Sequence, residues 1–421
     1  MSTSLGSGHA EAESAAEILR TTVAVRERAR QLLARARNGE SQWFVLDDSF
    51  MESTVAAVVE ATRKRYPKLH IPLHSRWRHF QAGGVARKQE LDRLLADLPV
   101  PSRGHALIDL AFVSVLLDAG AGPDWKYVEP ATGQTFTRSE GLAVASFHAF
   151  VAGLFSSDAN RPLQADSAGL RGLVTDHLAA AFQVSEANPL VGLEERAILL
   201  RRLGEAMREQ PEVFGPDGRP SGLFDTIVSP FGPAVAHTAD ISAHSILSLV
   251  LYSLSGIWPA GNSIATVPLG DCWRHSAVRG EGLSDGWMPF HKLSQWLTYS
   301  LIEPFEWSGV RVHGLEELTA LPEYRNGGLL IDSGLLCLRD SSAAQQVWQP
   351  GDEIIVEWRA LTVALMDLVA LAVRQRLHLS ETQLPLACVL EGGSWAAGRE
   401  LAQHHRGGLP PLQVASDGTL F

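Results

Sequence analysis

The run Ile241–Pro259 (ISAHSILSLVLYSLSGIWP) carries no formal charge, and a chain has few ways to hide such a segment. It is nearly long enough to cross a bilayer, or it is a helix buried on all sides in a large core. His244 and a series of serines interrupt its apolar character. Asp240 precedes it without a positive flank, which favours the buried helix and a protein with no membrane partner. A helix of that kind needs a sizeable core, and 421 residues with 45% hydrophobic and 20% charged content are enough for one large domain or two ordinary ones.

The helical reading extends along the chain. Ser14 to Arg37 is rich in Ala, Glu, Arg and Leu and stops at Asn38-Gly39. Asp47-Asp48-Ser49 is placed to cap a helix over Phe50 to Arg65, which Pro67 closes. Leu107–Leu117, Arg138–Phe155, Leu190–Glu209, Ile241–Ile257, His291–Glu303 and Trp358–Leu377 read as further helices. Strand signals are short: Thr135–Phe136, Val310–Val312 and Ile354–Val356. The expectation is a mainly α fold with a few short β-strands: a flexible end over 1–14, then a single large helical domain over 15–421. The turn cluster Gly215–Gly222 (GPDGRPSG) is its candidate subdomain boundary.

A net charge of -11 argues against nucleic acid as a partner, because phosphate neutralisation needs a basic face. Cys272, Cys337 and Cys388 are sparse and form no CxxC, which suits a reducing compartment and offers no thiolate metal site. The first residues, MSTSLGSGHAEAESAAE, lack the basic and apolar regions of a secretory signal, so the cytoplasm is the expected location.

Several familiar motifs are missing. There is no GxxxxGK[ST] loop and no HExxH; Gly120-x-Gly122 runs into Pro123; Gly392-Gly393-Ser394-Trp395-Ala396 is one glycine short of a nucleophile elbow. Asp47-Asp48 after an apolar run is similar to the ribose-holding acids of phosphoribosyltransferases. It leads into an ordinary capped helix start, though, and not into a phosphate loop.

Chemistry-bearing residues concentrate between Asp271 and Asn326, most densely from Trp287 to Leu330. Leu269–His275 (LGDCWRH) puts an acid, a thiol, a guanidinium and an imidazole within a few positions. On the helix His291–Glu303, residues Lys292, Gln295, Tyr299 and Glu303 share a side, which is either a site wall or a solvated face. In Leu321–Leu330, Pro322 at the first helical position would set Glu323, Tyr324 and Arg325 in the first turn, where the helix dipole keeps a carboxylate ionised.

These motifs carry a resemblance. LLDAGAGPDWKY (116–127), SEGLAVASF (139–147), LGDCWRH (269–275), PFHKLSQWLTYSLIEP (289–304), LPEYRNGGLLID (321–332), VEWRALTVALMD (356–367), LEGGSWAAGRE (390–400) and SDGTLF (416–421) resemble the uracil-catabolism protein 4 family of fungi and bacteria, formerly a domain of unknown function. The resemblance runs from about Ala15 to Phe421. It implies a pathway that opens the pyrimidine ring and passes through ribosylurea-type intermediates to urea, in which some step breaks a ribose C1–nitrogen bond.

The order Lys-x-x-Gln, acid-Tyr-Arg, Glu-x-Arg-Ala also resembles the queuosine-salvage nucleotide N-glycosylases, and it implies a helical DNA-glycosylase-like architecture. In that family the lysine and the acid line the active site. The matching positions are Lys292, Gln295, Glu323, Tyr324, Arg325, Glu357, Arg359 and Ala360, with Glu323 where that family has Asp. The resemblance implies Glu323 and Lys292 as catalytic residues; the leaving group also needs a proton or polarisation, for which Asp271 or His275 is the catalytic candidate. It implies Lys292, Arg325 and Arg359 as holders of a 5′-phosphate. Trp125, Tyr127 and Trp273 are candidate pocket walls, although each alone reads more readily as core packing than as a ligand contact. Asp118, Arg274, His275, His291, Gln295, Tyr324 and Glu357 complete the substrate-side candidates. The expected partner is a nucleotide-derived small molecule, with no metal or cofactor. A uracil phosphoribosyltransferase and a non-catalytic nucleotide-binding protein are the alternatives.

Overall fold

The computed structural model describes residues 2–231, 239–259, 261–415 and 418–419, with side chains from residue 8 onward. Of the terminal SDGTLF segment only Gly418 and Thr419 are described, so the rest of that motif lies outside the described residues. Helices make up most of the structure, as expected, and every described strand is two or three residues long and paired with a single partner. The chain forms two compact units. One is built from Met1–His74, Gly261–Lys292 and Leu315–Ala415; the other from Ser75–Ala260, Leu293–Gly314 and Ser416–Phe421.

The first unit is organised around the helix Glu353–Leu377, 25 residues long and buried over most of its length. Ile354–Val356, expected as a strand, is its first turn. A β-branched triplet prefers strand locally, but that weak preference yields when all three side chains are buried in one core. The helices Thr22–Arg37 and Met51–Arg65 pack against it. The single helix expected over Ser14–Arg37 is two, Ser2–Leu19 and Thr22–Arg37. Thr21 turns extended, and its hydroxyl accepts from the Ala24 N–H as a new cap. Phe44–Leu46 pairs antiparallel with Leu336–Leu338. Asp47 accepts from the Ser49 N–H and caps the turn before Met51–Arg65, the ordinary helix start that the sequence suggests. The helix Tyr324–Asp332 lies so close to Glu353–Leu377 that a Cβ on Gly327 would come within 2.7 Å of the Trp358 ring. The Trp358 indole N–H donates to the Gly327 carbonyl at 3.1 Å, so glycine and tryptophan fix that approach together.

In the second unit the helices Val100–Leu116, Arg138–Val151 and Leu193–Glu209 supply most of the buried surface. The strands Lys126–Val128 and Thr135–Thr137 form a hairpin, and Asp240–Ser242 runs parallel to Arg311–His313. The Gly120-x-Gly122 turn is held by the buried Arg196 guanidinium, which donates to the carbonyls of Leu117, Ala119 and Gly120. The Gly215–Gly222 turn lies inside this unit. Arg219 and the Ser221 N–H tie it to the fully buried Asp109, whose carboxylate accepts from Arg219 at 2.6 and 3.0 Å.

Ile241–Pro259 is not a helix buried on all sides. It contributes a strand, the helix Ala243–Leu254 and a short 3-10 turn, and Tyr252 is 71% exposed. Uncharged serines and a tyrosine hydroxyl suffice to face water. Among the described residues no helix is long and apolar enough to cross a membrane.

Candidate active site

Asp271 is where the first unit's polar cluster begins. It leads the strand Cys272–Arg274, which pairs antiparallel with Trp287–Pro289, and its backbone carbonyl accepts from the Phe290 and His291 N–H groups. Its carboxylate then accepts from the Lys292 N–H at 3.0 Å, satisfying an orphan donor at the start of the helix Lys292–Trp307. The Trp273 indole donates to the same carboxylate at 2.8 Å, and Arg359 binds it through both terminal nitrogens at 2.8 and 2.7 Å. Asp271 and Arg359 are each 2% exposed. Burial opposes ionisation of Asp271, but the Arg359 charge and hydrogen bonds outweigh it and hold the carboxyl well below the usual range.

Two expectations change here. Asp271 is a committed anion, not a proton donor. Arg359, which also sits 4.0 Å above the Phe290 ring, is occupied with Asp271 and is not open to a phosphate.

His291 adopts a left-handed backbone conformation (φ 51°), and its Nε2 donates to the Leu19 carbonyl at 2.9 Å. Burial pushes its imidazole below the ordinary histidine range, so it is neutral and positions the turn before Lys292. From His291 to Ser300 every residue is buried, Lys292, Gln295 and Tyr299 included, so the polar side of this helix is not a solvated face.

Glu323 does not lie in the first turn behind Pro322. It is the N-cap of Tyr324–Asp332, extended in backbone, and its carboxylate accepts from the Arg325 and Asn326 N–H groups, both at 2.7 Å. A carboxylate reaching two free helix donors stabilises the start better than a proline-led first turn would. The side chain is half-buried, yet enough protein surrounds it that burial raises its pKa above the ordinary value, against the opposing pull of those N–H groups, Arg325 and Lys292. Desolvation therefore outweighs the helix-start N–H groups in setting the direction of its shift.

Arg325 is 3% exposed. Its guanidinium lies over the Tyr324 ring at 4.9 Å and the Trp395 ring at 5.1 Å, and its Nη1 is buried without a hydrogen-bond partner.

Sequence reasoning did not place Trp395 and Ser394 in this neighbourhood, and it gave Asn326 no role. Ser394 donates to the Asn326 side chain at 2.8 Å, and Asn326 donates to the Leu321 carbonyl, fixing the turn that carries Glu323. Leu390–Ser394 is a π-helical turn, the form of the segment read as a failed nucleophile elbow. A Cβ on Gly393 would fall 2.2 Å from the Val58 carbonyl, so the glycine there serves close packing. The one available signal was LEGGSWAAGRE itself, quoted above without an assigned role.

His275 and Glu357 meet, but as a buried structural pair. The Ala277 N–H donates to His275 Nδ1 at 3.1 Å, which leaves Nε2 to donate to Glu357 at 3.2 Å; Ser41 donates to the other Glu357 oxygen. His275 is thereby engaged at both nitrogens and is a poor proton donor to a substrate. Arg274 is exposed, stacked 4.1 Å over Trp287 on the same hairpin. Trp273 is half-buried beside Asp271.

Asp118, Trp125, Tyr127 and Gln295 belong to the second unit. Trp125 has no exposed surface and donates to the Phe182 carbonyl at 3.0 Å, and Tyr127 is 3% exposed against His148; both are core, as their bland reading allowed. Asp118 pairs with the fully buried Arg76 at 2.8 Å and accepts from Ser139 and the Trp296 indole.

Comparison with known proteins reports on the whole chain. The model of a family described as a protein of unknown function (DUF1688) matches residues 18–421. The protein named "Protein urg3" from Schizosaccharomyces pombe is 39% identical over 407 residues, covering 94% of this chain and 96% of that protein. The protein named "Uracil catabolism protein 4" from Lachancea kluyveri is 37% identical over 428 residues, covering 94% and 97%.

Proposed function

The chain belongs to the DUF1688 family, and from that premise we propose that it acts in uracil catabolism by hydrolysing the bond between ribose C1 and a urea nitrogen in a ribosylurea-type, ring-opened uridine derivative. The observation that carries this reading is Glu323. It is a half-buried carboxylate anchored by two backbone N–H groups and under the influence of the Lys292 and Arg325 charges.

Cleavage of a ribosyl C–N bond builds positive charge on C1, which a nearby carboxylate stabilises while it orients and deprotonates water. Water oxygen bonds to C1, the C1–N bond breaks, and the urea nitrogen leaves with a proton. Asp271 is held ionised and His275 is engaged at both nitrogens, so that proton falls to Lys292, whose charge acts on Glu323. Free urea and a ribose product result.

The test is incubation of purified protein with ribosylurea, its 5-phosphate and UMP, scored by urea release, with Glu323→Gln alongside. Wild-type urea release and a loss of at least about 100-fold in the variant, with the fold retained by circular dichroism, support the reading. Absent urea together with pyrophosphate-dependent turnover of uracil would mean a phosphoribosyltransferase. Nucleotide binding without turnover, indifferent to Glu323→Gln, would mean a binding protein.

The pH profile is a second check. Because burial raises Glu323 and the ionised form is the reactive one, kcat/KM is expected to fall on the acid side with a midpoint above the free-glutamate value of about 4.3. A limb at or below that value would remove Glu323 as the titrating base.

A further inference from the structure

Glu323 is an unusual helix cap. Short side chains are preferred there because they reach the free N–H groups with few rotatable bonds to fix, and glutamate has one more than aspartate. The direction of its carboxylate therefore needs a hold from outside the cap, and Asn326, 2% exposed, supplies it. The Asn326 N–H donates to Glu323 Oε1 at 2.7 Å. Its side-chain Nδ2 donates at 3.2 Å to the Leu321 carbonyl, which also accepts from the Glu323 N–H at 2.9 Å. One buried residue thus ties the Glu323 side chain and closes the turn before it.

The Asn326 amide keeps that orientation while its oxygen has a donor, and the donor is the Ser394 hydroxyl at 2.8 Å. With no exposed surface, Ser394 is not a nucleophile facing a substrate. Its place is set by the π-helical turn Leu390–Ser394. In an α-helix residues three apart share a face, whereas the wider π turn swings them apart. Glu391 thus turns to the end of the helix Met51–Arg65 while Ser394 turns to Asn326. One Glu391 oxygen accepts from Arg65 at 2.7 Å and the Tyr66 hydroxyl at 2.9 Å, and the other pairs with His74 Nδ1 at 2.9 Å. Burial pushes this carboxyl up, but His74, Arg65 and Tyr66 more than reverse that and bring it to about 2. Past the turn, a Cβ on Gly398 would fall 2.2 Å from the Arg325 carbonyl, so the helix Trp395–Arg406 lies directly on the turn that carries Glu323. All these residues belong to the first unit.

We propose that Ser394 is a positioning residue for Glu323: through Asn326 it fixes the direction of the carboxylate, and the π turn anchored by Glu391 holds Ser394 in place to do so. The catalytic consequence rests on the hydrolase reading above; the mechanical chain from Glu391 to Glu323 does not.

The experiment follows Glu323 itself, by NMR titration of its isotope-labelled carboxyl, with Glu323→Gln identifying the resonance. Ser394→Ala unties Asn326 and weakens an N–H bond that favours the ionised form, while Arg325 and Lys292, the charges acting on Glu323, stay in place. The Glu323 midpoint is expected to move to higher pH. In urea release the same variant should lose about 10- to 100-fold in kcat with KM changed by less than about 2-fold, because substrate still binds but meets a misdirected carboxylate. Ser284→Ala, equally buried in the first unit but bonded to Arg28 and the Glu281 carbonyl, controls for lost stability and should move neither. Glu391→Gln should shift the midpoint the same way, and add nothing further to Ser394→Ala, because both act through one chain. An unmoved midpoint in Ser394→Ala, an equal shift in Ser284→Ala, a loss confined to KM, or additive shifts in the double variant would each overturn the proposal. A midpoint that moves as expected in a protein releasing no urea retires the hydrolase reading and leaves the positioning role standing. Urea release by the wild type with an unmoved midpoint in Ser394→Ala does the reverse.

Discussion

Asp271→Ala is expected to cost about 3–5 kcal/mol of folding free energy, measured as a shift in the urea-unfolding transition. Within the first unit the carboxylate holds together the strand it leads, the Lys292 N–H and the core helix that carries Arg359. Removing it strips Arg359, charged and 2% exposed, of both its bonds to that carboxylate, and it frees the Lys292 N–H. Most of the loss is thus the penalty of a stranded cation, not the worth of the pair. The double variant Asp271→Ala/Arg359→Met should therefore recover part of the stability. Additive losses in that cycle would show that the two residues do not act as a unit.

Arg87→Met is the counterpart in the second unit, again with an expected cost of about 3–5 kcal/mol. Arg87 has no exposed surface and grips Glu129 at 2.7 and 2.8 Å, while its other terminal nitrogen donates to the Phe80 and Ala82 carbonyls. Thr132 and His148 complete the carboxylate's shell. Burial pushes Glu129 up, but the hydrogen bonds from Arg87, Thr132 and His148 more than reverse this and bring it from 4.5 to about 2. A depressed carboxyl stabilises the fold fully above its unfolded value and loses that contribution as pH falls through the folded one. The acid sensitivity due to this group therefore falls between about 4.5 and about 2. In Arg87→Met the folded value rises, so that variant's stability should change less with pH across the same interval. An unchanged acid profile would refute the role given to Arg87.

The helices were readable because apolar residues recur along them and because a capping residue such as Asp47 marks a start, whereas the Thr21 cap inside the run Ser14–Arg37 went unread. Ile354–Val356 misled because three β-branched residues speak louder locally than the core that claims them. The division into two units had no sequence signature, since a turn-rich stretch such as Gly215–Gly222 is as compatible with a tight corner as with a boundary. At the site, the residue types near Glu323 were legible, but their engagements were not. Arg359 and Arg325 look alike as letters. Only a carboxylate 88 positions away distinguishes the ion-paired guanidinium from the other. Trp395 and Ser394 escaped because packing, not spacing, brings them in.

The pairing of Ser41 with Glu357, and of Phe44–Leu46 with Leu336–Leu338, also bears on how the protein is made. On the ribosome 316 residues separate Ser41 from its acceptor, which at typical elongation rates is a wait of roughly 15 to 60 s. Throughout that interval the helices Thr22–Arg37 and Met51–Arg65 have been synthesised without the core helix they cover. The second unit, whose longest stretch Ser75–Ala260 is uninterrupted, emerges in the meantime. Birth of the first unit is thus an act of retention: an early apolar surface has to be kept from aggregation until the last fifth of the chain arrives.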